Sequence, residues 1–387
     1  MQGSASPEAR ERLVALDVFR GVTIAAMLLV NNPGSWSAIY APLEHAEWHG
    51  WTPTDLIFPF FLFIVGITTH LSKKEPKRIV RRGIIIVLLG LLLNAFPFYW
   101  WGKMATNPQP TFLDRVAWRF EHLRFAGVLQ RIGIAYIAAA LIALYATRRQ
   151  IVITIVAILL GYWVLMTCVP VPGTGELGAF VLDQPPKTLA AWLDRAILGT
   201  NHIWSSTKTW DPEGPLSTLP AIATALLGVL TGAWLTQRER PLIERVAKLY
   251  GAGCVGLLAG KLWDWIFPIN KNLWTSSYVL FTAGFACVAL ATCLWLIDVE
   301  GRRGWTKPFV IYGVNPMAAF VGSGLMARLI DSLIKVDGKS LHQITFQWMN
   351  SPWMSPKFAS LLWGLGFVAL WFGILALLHR RGLILKV

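Results

Sequence analysis

The stretch HAEWHGWTPTDLIFPFFLFIVG, residues 45–66, ends in an apolar and aromatic run long enough to enter lipid. Its first half packs His45, Glu47, Trp48, His49, Trp51 and Asp55 against the mouth of that run. Titratable groups at the edge of a membrane span are costly and mark a functional site by default.

Composition places this stretch in a membrane protein. The chain has 387 residues, 55% hydrophobic and 14% charged, with a mean hydropathy of +0.52. Soluble domains carry about 25% charged residues. The net charge of +14 does not point to nucleic acid, because the basic residues sit in short loops between apolar runs and form no stripe interleaved with aromatics. Cys168, Cys254, Cys287 and Cys293 lie in apolar segments without CxxC or Cys/His spacing. They read as small core hydrophobes, with no metal site and no disulfide framework. The opening MQGSASPEARERL lacks the apolar core of a signal peptide, so the first span is expected to act as the insertion signal and stay in place.

A spanning helix needs about 20 mostly apolar residues. Ten stretches qualify, near 13–32, 53–72, 80–101, 123–146, 150–170, 216–236, 247–268, 273–297, 305–330 and 358–380. The ninth is the weakest, since it holds Pro316 among glycines. With the N-terminus in the cytoplasm, the cytoplasmic segments hold 20 Lys and Arg and the longer outer loops hold 10. That asymmetry puts both termini inside and the His45 loop outside. The expected fold is therefore all-α: a polytopic membrane protein with about ten transmembrane helices. Residues 1–387 form a single domain, with 1–11 a disordered tail and 171–215 an outer loop segment. No internal repeat is visible.

Few charges lie within the spans. Asp17 and Arg20 are three apart on one helical face, as are Lys261 and Asp264, and both pairs suit helix docking. Arg131 follows Gln130 without a local acid. The outer mouth is denser. Asn31 and Asn32 end the first span, and a loop without Lys or Arg then carries Glu44, His45, Glu47 and His49. Thr52, Pro53 and Asp55 have the spacing of a capping box, a role that leaves room for a second. Imidazole titrates near pH 6.5, which suits His45 and His49 to move protons. Two more polar islands face the same side: KTWDPEGPLSTLP with Asp211 and Glu213, and FPINKNLWTSSY with Asn270, Lys271 and Trp274. Each suits a capped helix entrance. Their convergence also suits a sugar-sized ligand in an aromatic-lined pocket.

RLVALDVFRG, HAEWHGWTPTDLIFPFFLFIVG, GVLQRIGIAY, DPEGPLSTLPAIATALLGVLTG and PINKNLWTSSYVL occur in this order. Together they resemble the membrane-bound heparan-α-glucosaminide N-acetyltransferase family and its bacterial relatives, from about residue 12 to the last span. The lysosomal member carries a lumenal region and a further span ahead of LDxFRG, whereas this sequence starts almost directly at that motif. The resemblance implies acetyl transfer from acetyl-CoA, a co-substrate, to the amine of glucosamine or a terminal glucosaminide, with no metal. It matches the family's active histidine to His45 and its functional asparagine to Asn31. The implied location is a bacterial inner membrane, with the catalytic loop facing the periplasm. Implied partners are the amino-sugar acceptor, acetyl-CoA, membrane lipid and, in a homodimer, a second copy; nucleic acid is not among them.

On that basis His45 is expected to be the base, or a transient nucleophile that carries the acetyl group. Glu47 or Asp55 is expected to hold its ring, and Asn31 to donate to the oxyanion, a contact worth about 3 kcal/mol. Asp211, Glu213, Asn270 and Lys271 are expected to bind the sugar, with Trp48, Trp51 and Trp274 as stacking faces. Arg20, Gln130 and Arg131 are candidate contacts for acetyl-CoA, which must reach across roughly 30 Å of bundle from the cytoplasm. Two rivals stand beside this reading: a transporter of amino sugars or other small solutes, and an O-acetyltransferase of a cell-surface glycan.

Overall fold

The computed structural model describes residues 13–72, 75–104, 109–350 and 353–385. The expected tail over 1–11 lies outside the described residues. In chain order the helices are α1 (Val14–Asn31), α2 (Ile57–Leu71), α3 (Pro76–Ala95), α4 (Phe112–Glu121), α5 (Val128–Tyr145), α6 (Arg148–Cys168) and α7 (Leu189–Leu198). They continue with α8 (Pro215–Leu235), α9 (Leu242–Trp263), α10 (Ser276–Leu294), α11 (Lys307–Val314), α12 (Pro316–Arg328), α13 (Leu341–Met349) and α14 (Pro356–Arg380). Strand structure among the described residues amounts to one short hairpin, Lys335–Val336 with Lys339–Ser340, and one isolated bridge. The protein is an all-α polytopic membrane protein.

Among the described residues, seven helices are long and apolar enough to cross a membrane: α1, α2 with its entering turn, α5, α6, α8, α10 extended to Val299, and α14. The third and seventh expected spans are also long helices, α3 and α9. Their apolar runs are shortened by Lys77, Arg78, Arg81 and Arg82 in the one and by Glu244, Arg245, Lys248 and Lys261 in the other. The ninth is a broken span, α11 and α12 meeting at 81°. Pro316 removes an N–H at the break. The buried Asn315 side chain ties the chain's end beneath it, donating to the Leu383 carbonyl and accepting from the Leu385 N–H, both at 3.0 Å. The 171–215 segment is more than a loop, since it contains α7 and three single 3-10 turns.

Backbone contact fixes α2 against α8. A Cβ on Gly66 would lie 1.9 Å from the Ala225 carbonyl oxygen, and one on Gly228 would lie 2.1 Å from that of Phe63. Only glycine permits this approach, the usual device for packing helices in lipid. Around the seam, Leu62, Ala135, Leu226, Trp274 and Tyr278 form the central core. Ser35 N–H donates to Ser360 Oγ at 3.0 Å, so α14 starts beside the end of α1. Arg20 donates to the Gly313 carbonyl at 3.1 Å, which seats the start of α1 on α11. The first helix's start and the last helix's end therefore share the end of the bundle opposite His45. Cys287 is buried, but Cys168 and Cys254 are exposed and so are not core residues as expected; exposed Val164 and Val255 beside them belong to outward apolar faces.

Gly66→Ala should destabilise the detergent-solubilised protein by about 1–3 kcal/mol, seen as a lower thermal midpoint. Gly161→Ala, which meets open space on α6, should leave the midpoint unchanged. Equal midpoints for the two variants would contradict the close seam.

Candidate functional site

α2 is entered through one 3-10 turn, Pro53–Leu56, which its own sequence sets. Pro53 supplies a fixed φ, and Asp55 reaches back so that its Oδ2 accepts from the Thr52 N–H at 3.0 Å. The same oxygen accepts from the Ala46 N–H at 3.0 Å. The other oxygen, Oδ1, lies 2.6 Å from His45 Nδ1. One carboxylate thus divides its two roles between its two oxygens. An ionised carboxylate only accepts, so His45 Nδ1–H donates and Nε2 keeps its lone pair in the neutral ring. The Asp55 side chain is fully buried, while that of His45 is 47% exposed.

Lys271 arrives from the connection between α9 and α10. Gly50 N–H donates to the Ile269 carbonyl at 2.7 Å, joining this connection to the His45 loop. Asn270 then builds the turn: its Oδ1 accepts from the Leu273 N–H at 2.8 Å, and its own N–H donates to Thr275 Oγ1 at 3.0 Å. The result sets Lys271 Nζ 3.0 Å from both ring nitrogens of His45 and 3.8 Å from Asp55 Oδ1. An atom at that distance from both nitrogens cannot lie in the ring plane without striking Cε1. The ammonium therefore rides over the ring face and leaves the Nε2 lone pair open. Burial presses the Lys271 ammonium below the usual lysine range; Asp55 and Glu213 oppose that, and Arg131 adds to it.

A second charged layer stands behind this group. Arg124 sends Nε and Nη2 to the two oxygens of Asp211, at 2.8 and 2.5 Å, and also contacts Glu213. Burial alone would lower its pKa, but the two carboxylates raise it and hold the guanidinium charged. Asp194 on α7 accepts from the Asp211 N–H at 2.9 Å through Oδ2, while its buried Oδ1 has no partner. Burial pushes the Asp194 carboxyl up to about 7, with the charge of Asp211 adding to the rise. Arg131 is 1% exposed; Nη2 donates to Ser217 Oγ at 2.5 Å and the guanidinium stands 5.0 Å over the Trp274 ring. Its Nε and Nη1 are buried without partners. Beside this layer opens a cavity of about 330 Å³, whose lining includes Asn31, Trp36, Asn94, Arg124, Gln130 and Arg328. Asn32 spends its amide on the Leu28 carbonyl at 2.8 Å, and Gln130 Nε2 is buried and unpartnered.

The structure brings together His45, Asp55 and Lys271. Glu213 bridges them to the cavity, since it contacts Arg124 and its charge acts on Lys271. Asn31 lines the cavity with Arg124 and Gln130, apart from the His45–Asp55 pair. Four expected ligand contacts lie buried or away from this group in the structure. Trp274 is fully buried against Arg131, Phe58 and Tyr278, with Nε1 donating to Thr224 at 3.1 Å, so it offers no stacking face. Asn270 is fully buried in its turn, and Asp211 is 2% exposed in its ion pair. Arg20 sits at the opposite end of the bundle and shares no site with Gln130 and Arg131. Trp48 packs edge-on to Trp210 and donates to the Leu182 carbonyl at 2.7 Å. Trp51 is 37% exposed over Phe281 and Phe285. His49 lies 2.8 Å from Asp183, beside that loop contact.

Sequence reasoning missed Arg124, Asp194, Arg328 and Tyr278, whose hydroxyl donates to the Asp55 carbonyl at 2.6 Å. Arg124 was hidden at the edge of a presumed span. Asp211 and Glu213, two acids at the entrance of an apolar span, were the signal for it.

A helical bundle with a carboxylate-held histidine at one polar mouth defines a polytopic membrane protein with a polar, titratable rim. Residues 12–256 match the family model described as heparan-alpha-glucosaminide N-acetyltransferase, catalytic. The chain belongs to that family. Among curated relatives, the mouse heparan-alpha-glucosaminide N-acetyltransferase is 30% identical over 433 residues, covering 98% of this chain and 62% of its own length. The human protein of that name is 29% identical over 423 residues, covering 97% and 60%. The chain thus spans about three fifths of the length of these relatives.

Asp194 yields a pH test. Its folded pKa lies above that of a free carboxyl, so between about pH 4 and about pH 7 the native state holds a proton that the unfolded chain has lost. Stability from this group therefore falls as pH rises through that window. Asp194→Asn should flatten the fall in thermal midpoint, and an unchanged profile would contradict the assignment.

Proposed function

We propose that the protein transfers an acetyl group from acetyl-CoA to the amine of glucosamine or a terminal glucosaminide, with His45 as the general base. The observation that carries this reading is the His45–Asp55 pair with Lys271 over the ring, in a chain of this family. Acyl transfer to an amine requires a proton acceptor, a polarised carbonyl and an approach of about 3 Å. The amine nitrogen attacks the thioester carbonyl carbon, and His45 Nε2 takes the proton that nitrogen loses. Asp55 keeps Nδ1 protonated and stabilises the imidazolium, as the carboxylate of a catalytic triad does. The Lys271 ammonium, 3.0 Å from the imidazole nitrogens, would stabilise the negative charge that develops on the carbonyl oxygen, as a fixed cation does. Collapse of the tetrahedral intermediate breaks the C–S bond, and the thiolate of CoA recovers the proton from His45.

The cavity beside Arg124 is where the saccharide would lie. Asn31 and Gln130 line it, while the exposed ring of Trp51, over Phe281 and Phe285, lies outside that lining. Asp211, Asn270 and Trp274 shape the wall from behind and do not touch substrate. Both termini would lie in the cytoplasm of a bacterial cell, with His45 at the periplasmic face. With His45 as base and no acetyl-imidazole, acetyl-CoA alone should release no free CoA.

His45→Ala should lower kcat by about 100-fold or more with the fold intact, read from acetylglucosamine formed by purified protein. Unchanged turnover would end this account. Lys271 supplies a pH test: its ammonium should lose its proton below the ordinary lysine value of about 10.4, so activity should fall on the alkaline side before that pH. Lys271→Arg should move that fall to higher pH, and a limb that stays in place would remove Lys271 from the mechanism.

A further inference from the structure

The end of the bundle opposite His45 holds a second recess, of about 360 Å³, which the proposed reaction does not use. Leu230 and Trp234 of α8, Leu249 and Ala252 of α9, and Ala283 and Gly284 of α10 supply much of its wall. Its one hydroxyl, that of Thr231, is spent on the Leu227 carbonyl at 3.0 Å. The depth of the recess therefore takes only an apolar chain. Its charged lining residues are Arg148, at the start of α6, and Lys248, one turn into α9. Arg148 has no acidic partner among the described residues. Lys248 shares Glu244 with Arg240, at 2.7 and 2.6 Å, so two cations face one carboxylate and a positive charge is left over. Exposed Val152 and Val255, on the helices that carry these cations, belong to surfaces that suit lipid.

We propose that this recess binds an anionic glycerophospholipid, with one acyl chain in the apolar part and the phosphate between Arg148 and Lys248. Two physical points select this occupant. A neutral lipid would leave Arg148 without a counterion and Lys248 with only a share of Glu244. The pantetheine arm of CoA carries two amides, and the mostly apolar lining of the recess offers them too few hydrogen-bond partners. Cations of this kind at a membrane surface favour anionic headgroups.

The test is native mass spectrometry of the purified full chain, loaded with mixed phosphatidylglycerol and phosphatidylcholine of equal chain length. Wild type should retain phosphatidylglycerol preferentially, and Arg148→Gln and Lys248→Gln should each reduce that preference about fivefold. Ala252→Trp, which fills the recess from the exposed side of α9, should remove bound lipid of both kinds. Arg148 lies at the surface, so its variant keeps the fold and the test stands even if the Trp variant does not fold. Equal retention of the two lipids by wild type, or an unchanged preference in the charge variants, would overturn the proposal. Displacement of bound lipid by acetyl-CoA would also overturn it and assign the recess to the donor.

Discussion

The site rests on the buried carboxylate of Asp55. A buried charge is tolerated only when its lone pairs are filled. Here the N–H groups of Ala46 and Thr52 fill one oxygen, and His45 and, at longer range, Lys271 serve the other. The arrangement binds the first turn ahead of α2 to the orientation of one imidazole. A cap at a helix entrance is worth about 1 kcal/mol, and here it also fixes which ring nitrogen is basic. The backbone beneath is held in turn: Tyr278 donates to the Asp55 carbonyl, and α2 is locked on α8 through Gly66 and Gly228.

Exposure separates the charges that build from those able to react. Arg124, Asp211 and Asp194 sit in a layer whose carboxylates are nearly sealed, and their bonds lead to α7, the start of α5 and the entrance of α8. Such a network positions elements but cannot change partners freely. His45 is half exposed at the mouth, with its partner buried behind it, so the ring meets solvent while its orientation is fixed from inside. Lys271 is intermediate: 18% of its side chain is exposed, and burial depresses its pKa against the pull of Asp55 and Glu213.

Much of this was legible in the chain, for identifiable reasons. Apolar runs of membrane length announce helices because lipid offers the backbone no partner, and all ten expected stretches contain helix, the ninth, the weakest by sequence, being broken before Pro316. Thr52, Pro53 and Asp55 announced their cap because capping is a local rule of fixed spacing. Partners distant in sequence were not legible. That Asp211 belongs to Arg124, 87 positions away, follows from how α5 meets α8, and no local pattern carries it. Trp274 and Asn270 misled because aromatic and amide groups near a polar mouth serve ligands and turns equally well. Asn270 turned out to build the bend that delivers Lys271, and Trp274 to support Arg131.

The most direct measurement is the ¹⁵N NMR spectrum of His45 in the protein labelled at histidine, assigned by comparison with the variant lacking that residue. If Asp55 governs this imidazole, the neutral ring is the Nδ1–H tautomer with a bare Nε2, and Asp55→Asn disturbs that state. A ring protonated at Nε2, or a tautomer indifferent to the loss of the carboxylate, contradicts the account at its foundation.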